Sequence, residues 1–168
     1  MNQKMWIALA VGCIVLLAIL LTVLRALWIA RKDKEKREFD KPDFTNYAGF
    51  KVTSLPGDEI VRLEHTELLG RRVAQLEFVI DPEWKAILRI ARKGVPLRLE
   101  EFQQNYEQRT VTYEDGVRVV VQQNPGGEAL MTWTKDEFDY SLYFERTQMG
   151  LVGGMLDDFV RETEAVES

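Results

Sequence analysis

Residues 5–24 read MWIALAVGCIVLLAILLTVL, twenty positions without a charge. At about 1.5 Å per residue, a helix of that length spans a hydrocarbon core of roughly 30 Å. The run has no polar face, so a soluble domain would leave it no solvated side. Trp6 and Trp28 stand 22 residues apart. Along a helix that is about 33 Å, which places one indole near each lipid–water boundary. Arg25 follows the run, where its head snorkels to the interface. The spacing predicts one transmembrane helix within residues 5–30, with the lipid bilayer as its partner.

Two processing readings fit less well. A signal-peptide core is about 7–15 residues long and ends at a small-x-small site. Here the apolar run is longer, and charge follows it. Ala10-Val11-Gly12-Cys13 resembles a weak lipoprotein box, but the chain stays apolar from Ile14 to Leu24. Cys13 is therefore read as a small packing residue. Lys4 precedes the run, whereas Arg25, Arg31, Lys32, Lys34, Lys36 and Arg37 follow it. The positive-inside rule puts the larger part of the chain on the cytoplasmic side. Residues 31–47 are read as a charged juxtamembrane linker. Within 31–41 four acids dilute six basic residues, so a solvated flank is preferred there to an anionic-lipid contact.

The chain carries 22 Lys and Arg against 27 Asp and Glu, for a net charge of -5 over 168 residues. Residues 42–168 alone sum to -9. An acidic body argues against a nucleic-acid partner, which requires clustered Lys and Arg. One cysteine excludes an internal disulfide framework and a multi-cysteine zinc site. One histidine excludes His-pair metal motifs.

Beyond Gly49 the apolar period becomes two. Phe138, Tyr140, Leu142 and Phe144 share one face; Asp139, Ser141, Tyr143 and Glu145 share the other. Glu114-Asp115-Gly116 is a hairpin signal, and Asn124-Pro125-Gly126-Gly127 and Lys135-Asp136-Glu137 supply the next turns. These signals predict strands over 107–113, 117–123, 128–134 and 138–144, preceded by strands over 50–55, 60–65, 72–80 and 85–92. Residues 96–106 read as a loop or short helical turn. Leu151, Val152, Met155, Leu156, Phe159 and Val160 form the apolar stripe of a closing helix, about 150–163. The predicted fold class is α+β: an antiparallel β-sheet meander packed by a C-terminal helix, preceded by one N-terminal transmembrane helix. The soluble domain is set at residues 48–164.

Chemistry-bearing motifs are few. His65 stands near Glu64 and Glu67, but a metal site needs two or three convergent ligands. Glu100-Glu101, Asp136-Glu137 and Asp157-Asp158 are sequence neighbours rather than carboxylates facing across a cleft, and are read as solvated turns and helix faces. No Gly-x-Ser-x-Gly elbow and no phosphate loop occurs. No catalytic residue, cofactor or metal is predicted. Trp133, Phe138, Tyr140 and Phe144 are the core under the closing helix or, in a sharper reading, the lining of an apolar ligand or partner face.

The stretch TVTYEDGVRVVVQQNPGGEALMTWTKDEFDYSLYF, with Trp133-Thr134 and Tyr140-Ser141 on paired strands, resembles the bacterial domain-of-unknown-function family 4367 over residues 49–162. AILRIARKG followed by Asn105-Tyr106 resembles that family's preceding strand and connection. The resemblance implies a sheet that cups a helix, an extracytoplasmic envelope location and no established catalytic residue. The expected function is a single-pass membrane-anchored, non-enzymatic envelope module binding a protein, peptide or lipid partner. The alternatives are a membrane-tethered hydrolase using acidic residues and a cytoplasm-facing scaffold.

Overall fold

The computed structural model describes residues 19–23, 36–57, 60–80, 84–146 and 151–168. The chain divides into two compact units, Met1–Glu35 and Lys36–Ser168. In the first, the described residues 19–23 are helical, and Ile19, Leu20, Leu21 and Val23 are exposed. The rest of the predicted span over 5–30 lies outside the described residues. Among the described residues no helix is long and apolar enough to cross a membrane.

The second unit is mostly antiparallel sheet. Its strands are β1 (Lys36–Glu38), β2 (Phe50–Ser54), β3 (Val61–Leu69), β4 (Val73–Ile80), β5 (Trp84–Arg92), β6 (Gln108–Glu114), β7 (Val117–Gln123), β8 (Ala129–Lys135), β9 (Phe138–Phe144) and β10 (Glu164–Glu167). Helix α1 covers Thr45–Ala48 and α2 covers Leu151–Glu162. Eight strands form one sheet in the order β1-β3-β4-β5-β9-β8-β7-β6, and β10 pairs with β2 in a second. The large sheet is two meanders rather than one. β3–β4–β5 and β6–β7–β8–β9 meet where Leu88 of β5 lies opposite Leu142 of β9. Burial explains this order. β9 is buried along nearly its whole length and suits the centre, whereas β6 is mostly exposed and suits an edge. Residues 93–107 carry the chain from the central β5 to that far edge.

Alternation along each strand sends one set of side chains to the helix side. Leu76, Phe78, Leu88, Ile90, Met131 and Leu142 are all fully or almost fully buried in one cluster. Helix α2 adds Met155, Leu156, Phe159 and Val160 to it. The Phe159 ring meets Phe78 at 5.2 Å and Phe144 at 6.3 Å, both edge to face. Each such large apolar side chain contributes about 1.5–3 kcal/mol on burial. Lys135 of β8 donates from Nζ to the carbonyls of Val160 and Arg161 at 3.1 and 3.2 Å. The ammonium thereby caps the open carbonyls at the C-terminal end of α2. Asp115 and Gly116 both take positive φ in the β6–β7 turn, as a tight two-residue hairpin requires.

Three elements depart from expectation. Residues 36–47, read as linker, belong to the second unit: Lys36–Glu38 pair with β3, and Phe44 is fully buried against Phe50 at 5.7 Å. β3 continues past His65 to Leu69, because a bulge at Glu64 reverses which parity faces the core. Val61 and Leu63 pack on the core before the bulge, and Leu68 packs on it after. Residues 164–167 form β10 on β2, beyond the predicted end of the domain.

Candidate functional site

Cross-strand register places one polar row on the sheet face opposite α2. Glu67 pairs with Gln75, Gln75 with Arg89, Arg89 with Ser141, and Ser141 with Thr132. Glu67, Gln75, Arg89 and Ser141 are each buried. Such burial is costly unless the groups satisfy one another. Gln75 Nε2 donates to Glu67 Oε1 at 2.7 Å, and Arg89 Nε donates to Gln75 Oε1 at 2.7 Å. Lys36 Nζ reaches the same Glu67 oxygen at 3.1 Å.

The remaining guanidinium hydrogens of Arg89 turn outward to the covering segment 95–106. Nη1 donates to the Arg98 carbonyl, and Nη2 pairs with the Glu101 carboxylate. The guanidinium lies 4.4 Å over the Phe102 ring, which stacks on Tyr143 at 4.5 Å. Burial pulls Arg89 down to about 10, while Glu67 and Glu100 act to raise it. Arg89 therefore stays charged near neutrality and fastens this segment to half of the outer face. Val95 and Leu97 of the segment also pack on Leu69, Val73 and Ala91.

The other half of the outer face is open. A groove of about 550 Å³ is walled by Val95, Pro96, Leu97 and Leu99 on one side and by Arg118 and Val120 on the other. Its floor runs along Thr132, Trp133, Thr134, Asp139 and Tyr140. Register puts Val111 opposite Val120 and Tyr113 opposite Arg118, so both belong to this same face. Val111 is 47% exposed and Tyr113 is 68% exposed. They extend the apolar strip to the sheet edge at β6, which among the described residues pairs only with β7. Thr134 donates to Asp139 at 2.7 Å within the lining.

The four aromatic residues singled out in the sequence are buried on the helix side. Trp133 and Tyr140 stack with centroids 5.3 Å apart and planes 2° apart; Phe138 packs on Phe50 at 5.2 Å; Phe144 meets Phe159. Trp133 and Tyr140 border the open groove, whereas Phe138 and Phe144 do not. A cavity of about 310 Å³ beside α2 is lined by Pro56, Gly57, Val61, Met155, Asp158, Phe159 and Glu162, and by none of the four.

His65 Nε2 lies 3.8 Å from Glu38 across the β1–β3 pair. Among the described residues no group of three or more His, Cys, Asp or Glu is placed to hold a metal ion. Asp157 and Asp158 both bond Arg161 on the helix surface. Glu101 lies exposed on a turn, as read, and also pairs with Arg89. One signal for Arg89 was present in the sequence. In Ala86-Ile87-Leu88-Arg89-Ile90-Ala91 the arginine is the lone charge in an apolar run, as in a strand covered on both faces. Comparisons with family models, with curated proteins and with solved structures give no match.

Proposed function

We propose that this protein is a single-pass, membrane-tethered, non-enzymatic module of the cell envelope that binds an extended polypeptide along the open half of its outer sheet face. The observation that carries this reading is the groove of about 550 Å³ continuous with exposed Val111 and Tyr113. Exposed apolar strips bordered by polar groups are where partners dock. The neighbouring edge of β6 offers backbone N–H and C=O groups to an added strand. Arg118 and Asp139 supply one charge of each sign for orienting the segment. Asp139 is the only carboxylate among the described lining residues. A hydrolase would need a second acid facing it. The tether itself is read from the uncharged run at residues 5–24.

Site-specific photocrosslinking in cells tests the groove. A photoreactive residue at Val120 or Tyr113 of the full-length chain is expected to give one dominant adduct. The same probe at exposed Ile60, which lies outside the groove, is expected to give none. Val111→Lys should abolish the groove adduct. Equal yields from the groove and from Ile60 would overturn the reading.

A further inference from the structure

We propose that the arginine-rich end of the sheet, built from Arg71, Arg72 and Arg92 around Tyr47, binds the anionic phosphate headgroups of the bilayer that holds the chain. The inference rests on the membrane-tethered reading above. It adds a second, separate contact with the lipid.

A pocket of about 360 Å³ is lined by Tyr47, Ala48, Arg71, Arg72, Arg92 and Val95. Arg71 and Arg72 occupy the β3–β4 turn and are exposed. Among the described residues neither guanidinium has an ion-pair or hydrogen-bond partner. Arg92 is held differently. Its Nη2 donates to the Gly49 carbonyl at 2.8 Å, and its Nη1 lies 3.4 Å from Glu167. Gly49 has φ +74°, and a Cβ there would stand 3.0 Å from that Nη2. The bare glycine therefore lets the arginine lie against the backbone. Arg92 Nε is buried without a partner. Arg37 stacks over the Tyr47 ring at 4.8 Å and adds a further cation beside the pocket.

Position supplies a second argument. Lys36 lies opposite Leu69, the residue just before the arginine turn. The chain coming from the apolar run therefore enters the sheet at the same end as Arg71 and Arg72. Residues 25–35 separate the run from Lys36. Eleven residues reach at most about 40 Å when fully extended and about 16 Å as a helix. The linker is thus long enough to let that end of the sheet reach the headgroups, and it is the end to which the tether is joined.

Charge then selects the orientation. Residues 42–168 sum to -9, so most of this unit is repelled by an anionic leaflet. The arginine end is attracted to it. Guanidinium forks bind phosphate oxygens in pairs, which gives the contact geometry as well as charge. The attraction acts within a Debye length of about 8–10 Å, so it operates once the tethered end approaches the leaflet.

The test uses the full-length chain in vesicles of neutral phosphatidylcholine and in vesicles containing about 30% phosphatidylglycerol, read by hydrogen–deuterium exchange of residues 69–73 and 92–95. Each basic residue near an anionic leaflet is worth roughly a fivefold change in the docking equilibrium. Protection of the turn is expected to rise about tenfold or more in the anionic vesicles. Arg71→Glu with Arg72→Glu should remove the gain, and Arg71→Lys with Arg72→Lys should keep only part of it, since lysine retains the charge without the paired donors. Exchange in β4 and β5 reports in the same experiment that each variant is folded. Inorganic phosphate added to neutral vesicles should protect nothing. Equal exchange in the two vesicle types would overturn the proposal. Protection by free phosphate alone would also overturn it and assign the pocket to a soluble anion. Flotation separates the two claims. Protein that floats with neutral vesicles but shows no anionic gain defeats the docking alone. Protein that floats with neither defeats the tether and the docking with it.

Discussion

Tyr140 shows how a single side chain ties the core to solution conditions. Its ring is 2% exposed and stacked on Trp133, and its oxygen shares a backbone hydrogen bond with Ala165. Burial pushes the phenol up to about 12, and the Ala165 bond opposes that rise. In the unfolded chain a tyrosine ionises near 10. Below pH 10 the phenol is neutral in both states, so its preference for the folded state is fully present. Between pH 10 and 12 only the unfolded chain ionises there, and stability falls by about 1.4 kcal/mol per pH unit. Arg89, whose folded value lies below its unfolded one, acts in the opposite direction over the same range. It is common to wild type and to Tyr140→Phe, so the difference between them isolates the phenol. Urea titrations at pH 9 to 11.5 should show wild type losing stability more steeply than Tyr140→Phe. Parallel curves for the two proteins would mean that the buried phenol carries no such preference.

At the scale of elements, regular alternation made the strands legible and anything that broke alternation hid them. β6, β7, β8 and β9 lie within one or two residues of their predicted bounds, because one apolar face and strong turn residues mark them. β1 has the sequence Lys-Arg-Glu and no apolar signal; backbone pairing to β3 and the Lys36–Glu67 ion pair hold it in the sheet. The end of β3 was hidden by its bulge, after which Thr66, Glu67, Leu68 and Leu69 are all buried. The covering segment 95–106 has no period of its own, and it is fixed by Arg89 from a neighbouring strand. The groove was illegible for the same reason, since one wall belongs to that segment. The aromatic residues were visible as a set, but sequence alone did not show that β9 lies beside β5 and closes their face with Phe159.

Arg89 therefore controls an element rather than a point. Arg89→Met leaves Glu67 buried with less compensation and frees residues 95–106 from the sheet. Leaving the buried Gln75 acceptor unpaired costs about 1–3 kcal/mol, and the exposed Glu101 partner adds little. Chemical denaturation of the full-length chain in detergent should show a loss of that order, with faster amide exchange across residues 96–106. Replacing Glu67, Gln75 and Arg89 together by apolar residues should recover most of the loss, because no orphaned charge remains. A loss below about 1 kcal/mol for the single variant would show that the segment is held by other contacts.

At the scale of the whole chain, we propose that an apolar N-terminal run, an arginine-bearing sheet end and an open apolar groove divide the work among attachment, orientation and recognition. Attachment is the claim on which the other two depend. Its most direct test is alkaline carbonate extraction of membranes from cells making the full-length chain. The account predicts that the protein stays in the membrane pellet and moves to the soluble fraction only with detergent. Quantitative release of the uncleaved chain by carbonate alone would contradict it.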